Sequence, residues 1–169
     1  MPEADQSGCG GEPDLKEAIL RLLKHNRPEY LSGEDICKSL NVTRTAVWKH
    51  IQTLREEGYV IDARPRTGYR LTGIPDRLLP AEIRDGLSTR VMGREIDYSA
   101  ETASTNEVAK ERASKGAKEG LLVVAEEQTG GKGRLGRQWH TPRYKGICFS
   151  LLLYPPVNPS RASQLTMLA

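Results

Sequence analysis

Apolar residues recur at helical spacing along the first part of the chain. One stripe at positions i, i+3, i+4, i+7 and i+8 predicts an amphipathic helix, and its members are Leu15, Ala18, Ile19, Leu22 and Leu23. Ser32 begins a second helix through a capping-box-like motif, and Thr43 caps a third helix after a short turn. The buried side of the third helix is marked by Val47, Ile51 and Leu54. Two short helices joined by a tight turn predict a helix-turn-helix.

The pattern changes to short extended segments after the third helix. Residues 59–61 and 69–71 are predicted as two strands, and the turn between them contains Arg64 and Arg66. A basic-tipped hairpin directly after a recognition helix is typical of a winged helix, whose tip can reach the phosphate backbone beside the DNA groove. Some winged helices bind proteins instead, so the pattern leaves that alternative open.

The face of the third helix opposite its buried side carries the residues that could contact DNA. Thr45, Lys49 and Gln52 point away from the predicted core, with Trp48 at the flank. These side chains offer hydrogen-bond donors and acceptors to base edges and phosphates, although an ordinary solvated helix surface has the same composition. The complete set of DNA-binding candidates is Arg44, Thr45, Trp48, Lys49, Gln52, Arg64 and Arg66.

Helix and strand patterns alternate in the second half of the chain. A short helix at 80–87, a strand at 96–98, a helix opening at 101–106 and buried strands at 121–125 and 146–153 indicate a mixed α/β sheet. The expected fold class is therefore α+β, with a winged helix-turn-helix followed by a partial mixed α/β domain. The expected order is a disordered leader at 1–13, the winged helix at 14–72, a linker at 73–80 and the second domain at 81–169.

A glycine-rich basic segment lies between the two buried strands. Residues 128–139 contain four glycines and three cations, and no acidic residue occurs from 128 to 145. Glycines let backbone N–H groups approach an anion, and the cations suit carboxylate or phosphate oxygens. The segment is neither a Walker A loop nor a G-x-G-x-x-G motif, and a plain flexible hairpin loop is the alternative. Two other stretches, 41–55 and 63–71, are also basic and free of acidic residues. Separate basic regions in the two halves of the chain indicate two anionic partners, or one anionic surface and one small anionic ligand.

Bulk composition argues against several classes of protein. No apolar run approaches the roughly 20 residues that a membrane span needs, and the acidic, glycine-rich N-terminus lacks the apolar core of a signal peptide. Three cysteines without a CxxC pair and three scattered histidines argue against a disulfide framework and a zinc site. We expect a cytoplasmic protein with no metal site and no membrane partner.

Two motifs in the second domain resemble signatures of one enzyme family. Residues 131–139, GKGRLGRQW, are similar to the GRGRxGRxW motif of biotin–protein ligases, and residues 101–106, ETASTN, resemble the ExxSTN element that precedes it. The winged helix in front resembles that of the bifunctional branch, the biotin operon repressors. The family's catalytic domain is of the biotin/lipoate ligase type, which is similar to class II synthetases. The sequence departs from the motif at Lys132, where arginine is commoner, and lysine keeps the charge but loses the bidentate fork.

This resemblance implies a two-step ligase that also regulates transcription. Biotin and ATP, with Mg²⁺, would form biotinyl-5′-adenylate, and the biotin would pass to a lysine of the biotin carrier domain of a carboxylase such as acetyl-CoA carboxylase. The adenylate would also act as corepressor, with operator DNA and a second copy of the chain, in a ligand-dependent homodimer, as partners. The alternatives are a ligand-responsive winged-helix transcription factor without ligase activity and a lipoate-attaching ligase of related fold.

The resemblance also implies roles for individual residues. Lys132 and Arg134 are the catalytic candidates, because cations stabilise charge that develops at the α-phosphate. Trp139 would anchor the far end of the basic segment. Ser104 also fits a plain helix cap, an alternative compatible with ligand binding. The expected biotin- and adenylate-binding residues are Ser104, Thr105, Asn106, Gln128, Gly131, Lys132, Gly133, Arg134, Arg137 and Trp139.

The family's next element is a KWPND-type segment whose lysine contacts the reacting phosphate. No such segment occurs within the 169 residues. We therefore expect a fragment of a longer ligase, and we do not expect a competent ligase from this chain alone.

Overall fold

The computed structural model describes residues 14–133 and 137–158. These residues belong to two units that divide between Pro75 and Asp76. No helix in the described part of the chain is long and apolar enough to cross a membrane.

The first unit consists of three helices followed by a two-stranded hairpin. Its elements are α1 (Leu15–His25), α2 (Gly33–Leu40), α3 (Arg44–Glu56), β1 (Val60–Arg64) and β2 (Gly68–Gly73). The two predicted caps are present: the Ser32 hydroxyl accepts a hydrogen bond from the Glu34 N–H, and the Thr43 hydroxyl accepts one from the Ala46 N–H. Between α2 and α3 the chain turns through Asn41, whose left-handed φ of 52° ends α2. The predicted helix-turn-helix is confirmed.

The buried face of α1 differs from the predicted stripe. Leu20, which the spacing left out, is only 2% exposed, whereas Ala18 and Leu22 are half-buried. The cause is that α1 contacts α2, α3 and β2 together, so more than one side of the helix is covered. On α3 the predicted residues are all buried, namely Val47, Ile51 and Leu54.

The hairpin of the first unit has a third extended segment beside it. Leu31 and Tyr69 exchange two backbone hydrogen bonds of 2.8 and 2.9 Å, so the residues before α2 pair with the start of β2. Gly68 begins β2 at a φ of +120°, and a Cβ atom there would lie 2.1 Å from the Leu31 carbonyl oxygen. Only glycine fits this close approach of two backbones.

The second unit has a mixed three-stranded sheet and a separate hairpin. Its elements are α4 (Pro80–Arg84), β3 (Ile96–Ser99), α5 (Thr105–Ser114), β4 (Leu122–Ala125), β5 (Gln128–Lys132), β6 (Gln138–Thr141) and β7 (Cys148–Leu151). In the order β3-β4-β7, β3 runs parallel to β4 and β7 runs antiparallel to it. Helix α5 packs on one face of β4 and β7, where Ala109, Leu121 and Val123 form a small buried cluster. The mixed α/β architecture is as predicted.

The segment 128–139, for which the sequence left a flexible hairpin loop as an alternative, contains β5 and the first half of β6, which pair as an antiparallel hairpin. Its glycines permit this pairing, since a Cβ on Gly131 would lie 2.6 Å from the Trp139 carbonyl oxygen. The strand predicted at 146–153 is limited to Cys148–Leu151, because β4 offers only four partners. The helix predicted at 80–87 ends at Arg84, since its cap residue, Asp85, adopts extended backbone dihedral angles.

Candidate functional sites

The exposed face of α3 carries the side chains that the sequence assigns to DNA. With Val47, Ile51 and Leu54 turned inward, Thr45 and Lys49 are exposed, and the Trp48 ring is 56% exposed. Gln52 is half-buried at the edge of this face. The arrangement suits a helix that presents a polar face to a DNA groove.

A cleft joins the start of α3 to the hairpin tip. It has a volume of about 590 Å³ and is lined by Arg44 on α3, by Arg64 and Arg66 on the hairpin, and by residues around the start of α2. Two basic stretches that are separate in the sequence therefore face one space. An anion as large as a phosphate can approach all three arginines from this side.

Nearby carboxylates neutralise part of this basic surface. Arg44 lies 3.6 Å from Glu34, and Arg64 lies 3.6 Å from Asp62. Neither pair was apparent from the acid-free stretches 41–55 and 63–71, because Glu34 lies on α2 and Asp62 lies on β1, outside those stretches. No carboxylate in the described ranges pairs with Lys49 or Arg66, so these two cations are the best phosphate candidates.

Tyr30 lies against one side of the hairpin, and no sequence pattern indicated this contact. Two guanidinium groups lie over its ring, with the Arg64 and Arg70 Cζ atoms 4.8 and 4.4 Å from the ring centroid. Its hydroxyl donates to Asp62, and this hydrogen bond lowers the pKa of the Asp62 carboxyl, aided by the two arginines. Asp62 therefore stays ionised at neutral pH and keeps Arg64 close to the hairpin.

The start of α5 is bound to Gln128 on β5. The Gln128 Oε1 atom accepts from the Thr105 N–H at 2.8 Å and from the Thr105 hydroxyl at 3.1 Å. Ser104 occupies the N-cap position, but its side chain makes no capping hydrogen bond. The alternative in which Ser104 is a plain side-chain cap therefore does not hold, because the Gln128 amide from β5 accepts the hydrogen bond from the first N–H of the helix.

The structure adds Ser150 on β7 to this cluster. The Ser150 Oγ atom lies 2.9 Å from Thr105 Oγ1 and 2.7 Å from Asn106 Oδ1. Ser150 is 8% exposed. Sequence reasoning missed it, and the available signal was a single hydroxyl within an otherwise apolar strand.

Backbone contacts hold the first part of the hairpin against the segment before α5. The Thr129 N–H donates to the Thr102 carbonyl at 3.0 Å, and the Gly130 N–H donates to the Ala103 carbonyl at 2.8 Å. The four residues expected to contact biotin through polar groups are thus brought together, namely Ser104, Thr105, Asn106 and Gln128. Hydroxyl and amide groups at a helix N-terminus suit a small polar ligand.

The more distal candidates follow the hairpin away from this cluster. Gly131 is buried and Gly133 half-buried, and the Gly133 N–H donates to the Arg137 carbonyl at 2.6 Å. Lys132 and Arg137 are exposed, and no hydrogen bond or ion pair within the described ranges joins them to α5. Trp139 is 64% exposed, and its Nε1–H donates to the Thr141 hydroxyl at 2.9 Å. Arg134 lies outside the described residues.

A buried carboxylate supports the strand end that leads to Gln128. Glu126 is 1% exposed and accepts from the Tyr98 hydroxyl and from the Leu78 N–H, both at 3.0 Å. Arg77 lies 3.6 Å from the same oxygen. Burial and the bond to Glu126 raise the pKa of the Tyr98 hydroxyl, so it remains a donor. Within the described ranges, no group of His, Cys, Asp and Glu side chains could hold a metal ion.

Comparison with known proteins covers both units. Residues 16–70 match the family described as HTH domain, and residues 98–169 match the Biotin/lipoate A/B protein ligase family. The Bifunctional ligase/repressor BirA of Bacillus subtilis (strain 168) is 44% identical over 155 residues, which are 92% of this chain and 48% of that protein.

Two other curated relatives match the chain over shorter stretches. The Bifunctional ligase/repressor BirA of Escherichia coli (strain K12) is 32% identical over 139 residues, covering 82% of this chain and 42% of that protein. The Biotin–[acetyl-CoA-carboxylase] ligase of Mycobacterium tuberculosis (strain H37Rv) is 40% identical over 70 residues, covering 38% of this chain and 26% of that protein. The chain spans about half the length of the bifunctional relatives it matches.

Proposed function

Because the chain belongs to the bifunctional ligase/repressor family, we propose that it serves biotin activation and biotin-dependent control of transcription. Its second unit binds biotin and contributes to the formation of biotinyl-5′-adenylate from biotin and ATP with Mg²⁺, for transfer to a lysine of a biotin carrier domain. Its first unit binds operator DNA, and the adenylate acts as corepressor by favouring a homodimer.

One observation carries the ligand assignment. Gln128 on β5 is hydrogen-bonded to the first residue of α5, so the motif at 101–106 contacts the strand that leads into the basic motif at 131–139. The polar cluster there suits the ureido ring of biotin. The cations that follow on the hairpin suit the carboxylate and the α-phosphate, whose charges must be neutralised before they react.

Calorimetry with biotin, with ATP and with both ligands tests this proposal on the 169-residue chain. We expect biotin to bind, and we expect ATP to tighten the retention of ligand if the adenylate forms. Pyrophosphate release measured on the same samples reports the chemical step. DNA binding that does not respond to biotin, in a chain that binds no biotin, would instead identify a transcription factor without ligase activity.

DNA binding by the first unit should depend strongly on salt. Each phosphate that a cation neutralises contributes about 0.9 to the slope of log affinity against log salt concentration. We expect Lys49→Ala and Arg66→Ala each to reduce this slope by roughly that amount, since neither cation has a carboxylate partner in the described ranges. Lys38→Ala is the control, because Lys38 lies 2.9 Å from Glu34. Fluorescence anisotropy at several salt concentrations provides the measurement, and unchanged slopes would contradict the assignment.

Gln52 should affect which DNA sequence is bound more than how tightly DNA is bound. A lost contact to a base edge costs about 1–3 kcal/mol at one position of the site. We expect Gln52→Ala to remove preference at one base pair per half-site and to leave affinity for unrelated DNA nearly unchanged. Thr53→Ala is the neighbouring control, since that hydroxyl bonds to the Lys49 carbonyl within the helix. An equal loss on every DNA sequence would show that Gln52 does not contact bases.

A further inference from the structure

Four side chains at the start of α5 form a continuous row of hydrogen-bonding groups. Gln128 meets Thr105, Thr105 meets Ser150 at 2.9 Å, and Ser150 meets the Asn106 amide at 2.7 Å. The row joins β5, α5 and β7, and its central member, Ser150, is buried.

A backbone group sets the direction of hydrogen bonding at one end of the row. The Thr105 N–H can only donate, so the Gln128 amide must present its oxygen to it. The same oxygen lies 3.1 Å from the Thr105 hydroxyl, which must therefore donate its proton to Gln128. The Thr105 oxygen is left as an acceptor, and Ser150 has to donate to it.

The proton count then decides the orientation of the Asn106 amide. Ser150 has one proton, and if that proton goes to Thr105, the group facing Ser150 from Asn106 must be a donor. Rotation of the Asn106 amide by 180° about its Cβ–Cγ bond exchanges its oxygen and nitrogen and leaves the other atoms in place. With the Asn106 nitrogen facing Ser150, each of the four contacts in the row has one proton. With the Asn106 oxygen facing Ser150, one pair of oxygens in the row has no proton between them.

The two ends of the row are then complementary groups. Asn106 offers its oxygen as an acceptor, and Gln128 offers its Nε2 protons as donors, for which no described residue serves as acceptor. A ureido group places N–H donors beside a carbonyl acceptor. We propose that Ser150 is a positioning residue, which holds the Asn106 amide so that Asn106 accepts from a ureido N–H while Gln128 donates to the ureido oxygen. This inference rests on the proposed binding of biotin.

Carbamate analogues of biotin, in which one ureido N–H is replaced by a ring oxygen, test the assignment. In the parent chain one of the two isomers should bind at least about tenfold more weakly than biotin, because two oxygens would face each other. In Ser150→Ala the Asn106 amide can turn and donate, so this penalty should shrink by about five- to tenfold. Ser150→Thr keeps the hydroxyl and should restore the penalty. Cys148→Ala, on the same face of β7, is the control for a lost buried group.

A measurement without ligand separates this inference from the proposed function. The Asn106 side-chain amide proton that faces Ser150, followed on ¹⁵N-labelled protein, should exchange more slowly with solvent in the parent chain than in Ser150→Ala. Equal exchange in the two proteins, or an equal analogue penalty, would overturn the role of Ser150. A parent chain that binds no biotin, yet shows the expected difference in exchange, would refute the proposed function and its ureido ligand while leaving the row itself established.

Discussion

Replacement of Gly68 with alanine should disrupt the hairpin of the first unit and with it DNA binding. Its φ of +120° is strained for any residue with a Cβ atom, and that atom would lie 2.1 Å from the Leu31 carbonyl oxygen. The backbone strain alone costs about 1–3 kcal/mol, and relief of the clash requires the Leu31–Tyr69 pairing to separate. The hairpin that carries Arg64 and Arg66 would then move away from α3.

Thermal unfolding of the first unit and its affinity for DNA are the measurements. For a domain of this size, each kcal/mol lowers the melting midpoint by about 4–8 °C. Gly33→Ala is a matched control, because its Cβ would meet only the Tyr69 ring carbon at 3.6 Å in ordinary contact. Equal midpoints for Gly68→Ala and the parent would show that the hairpin adjusts freely and that the close approach to Leu31 has no energetic importance.

Arg134→Ala should weaken retention of biotinyl-adenylate by roughly ten- to a hundredfold. A hydrogen bond to a charged group is worth about 1.5–3 kcal/mol. No acidic residue occurs between 128 and 145 that could engage the guanidinium locally. Arg134 follows Gln128 by six positions, and Gln128 on β5 is hydrogen-bonded to the first residue of α5. An adenylate held by the polar cluster there would therefore have the Arg134 guanidinium nearby in the chain.

The dissociation rate of the adenylate at fixed salt concentration provides the test, on a chain that has formed the adenylate or been given it. Leu135→Ala is the control, since an apolar side chain can lose only packing. Equal rates for Arg134→Ala and the parent would show that the arginine is a solvated charge. The backbone N–H groups of the neighbouring glycines would then be the anion-binding groups.

Local features of the chain predicted most of the first unit. The spacing of Val47, Ile51 and Leu54 and the cap at Thr43 depend on residues a few positions apart along one helix, and the structure has them as expected. The same local pattern left Leu20 out of the buried face, because the number of elements that cover α1 is not encoded in α1 itself.

The candidate sites depended on contacts between distant parts of the chain. The resemblance located Thr105 and Gln128 separately, but only the fold joins them across 23 positions. The same contact excludes the alternative in which Ser104 is a plain side-chain cap. Asp62 accepts a hydrogen bond from Tyr30, 32 positions earlier in the chain. Asp62 also pairs with Arg64, for which the acid-free stretch 63–71 indicated no partner.

By itself, the sequence determined the helix-turn-helix, the order of the two units and the motifs that resemble a biotin ligase. These are encoded by side-chain periodicity, caps and short motifs, whose physical effect extends over one or two turns of chain. The tertiary structure alone decided that β5 and β6 pair as antiparallel strands and that Ser150 lies beside Thr105, 45 positions earlier. Such contacts depend on how the strands pair and where α5 packs, because hydrogen bonds act over distances in space that sequence separation does not specify.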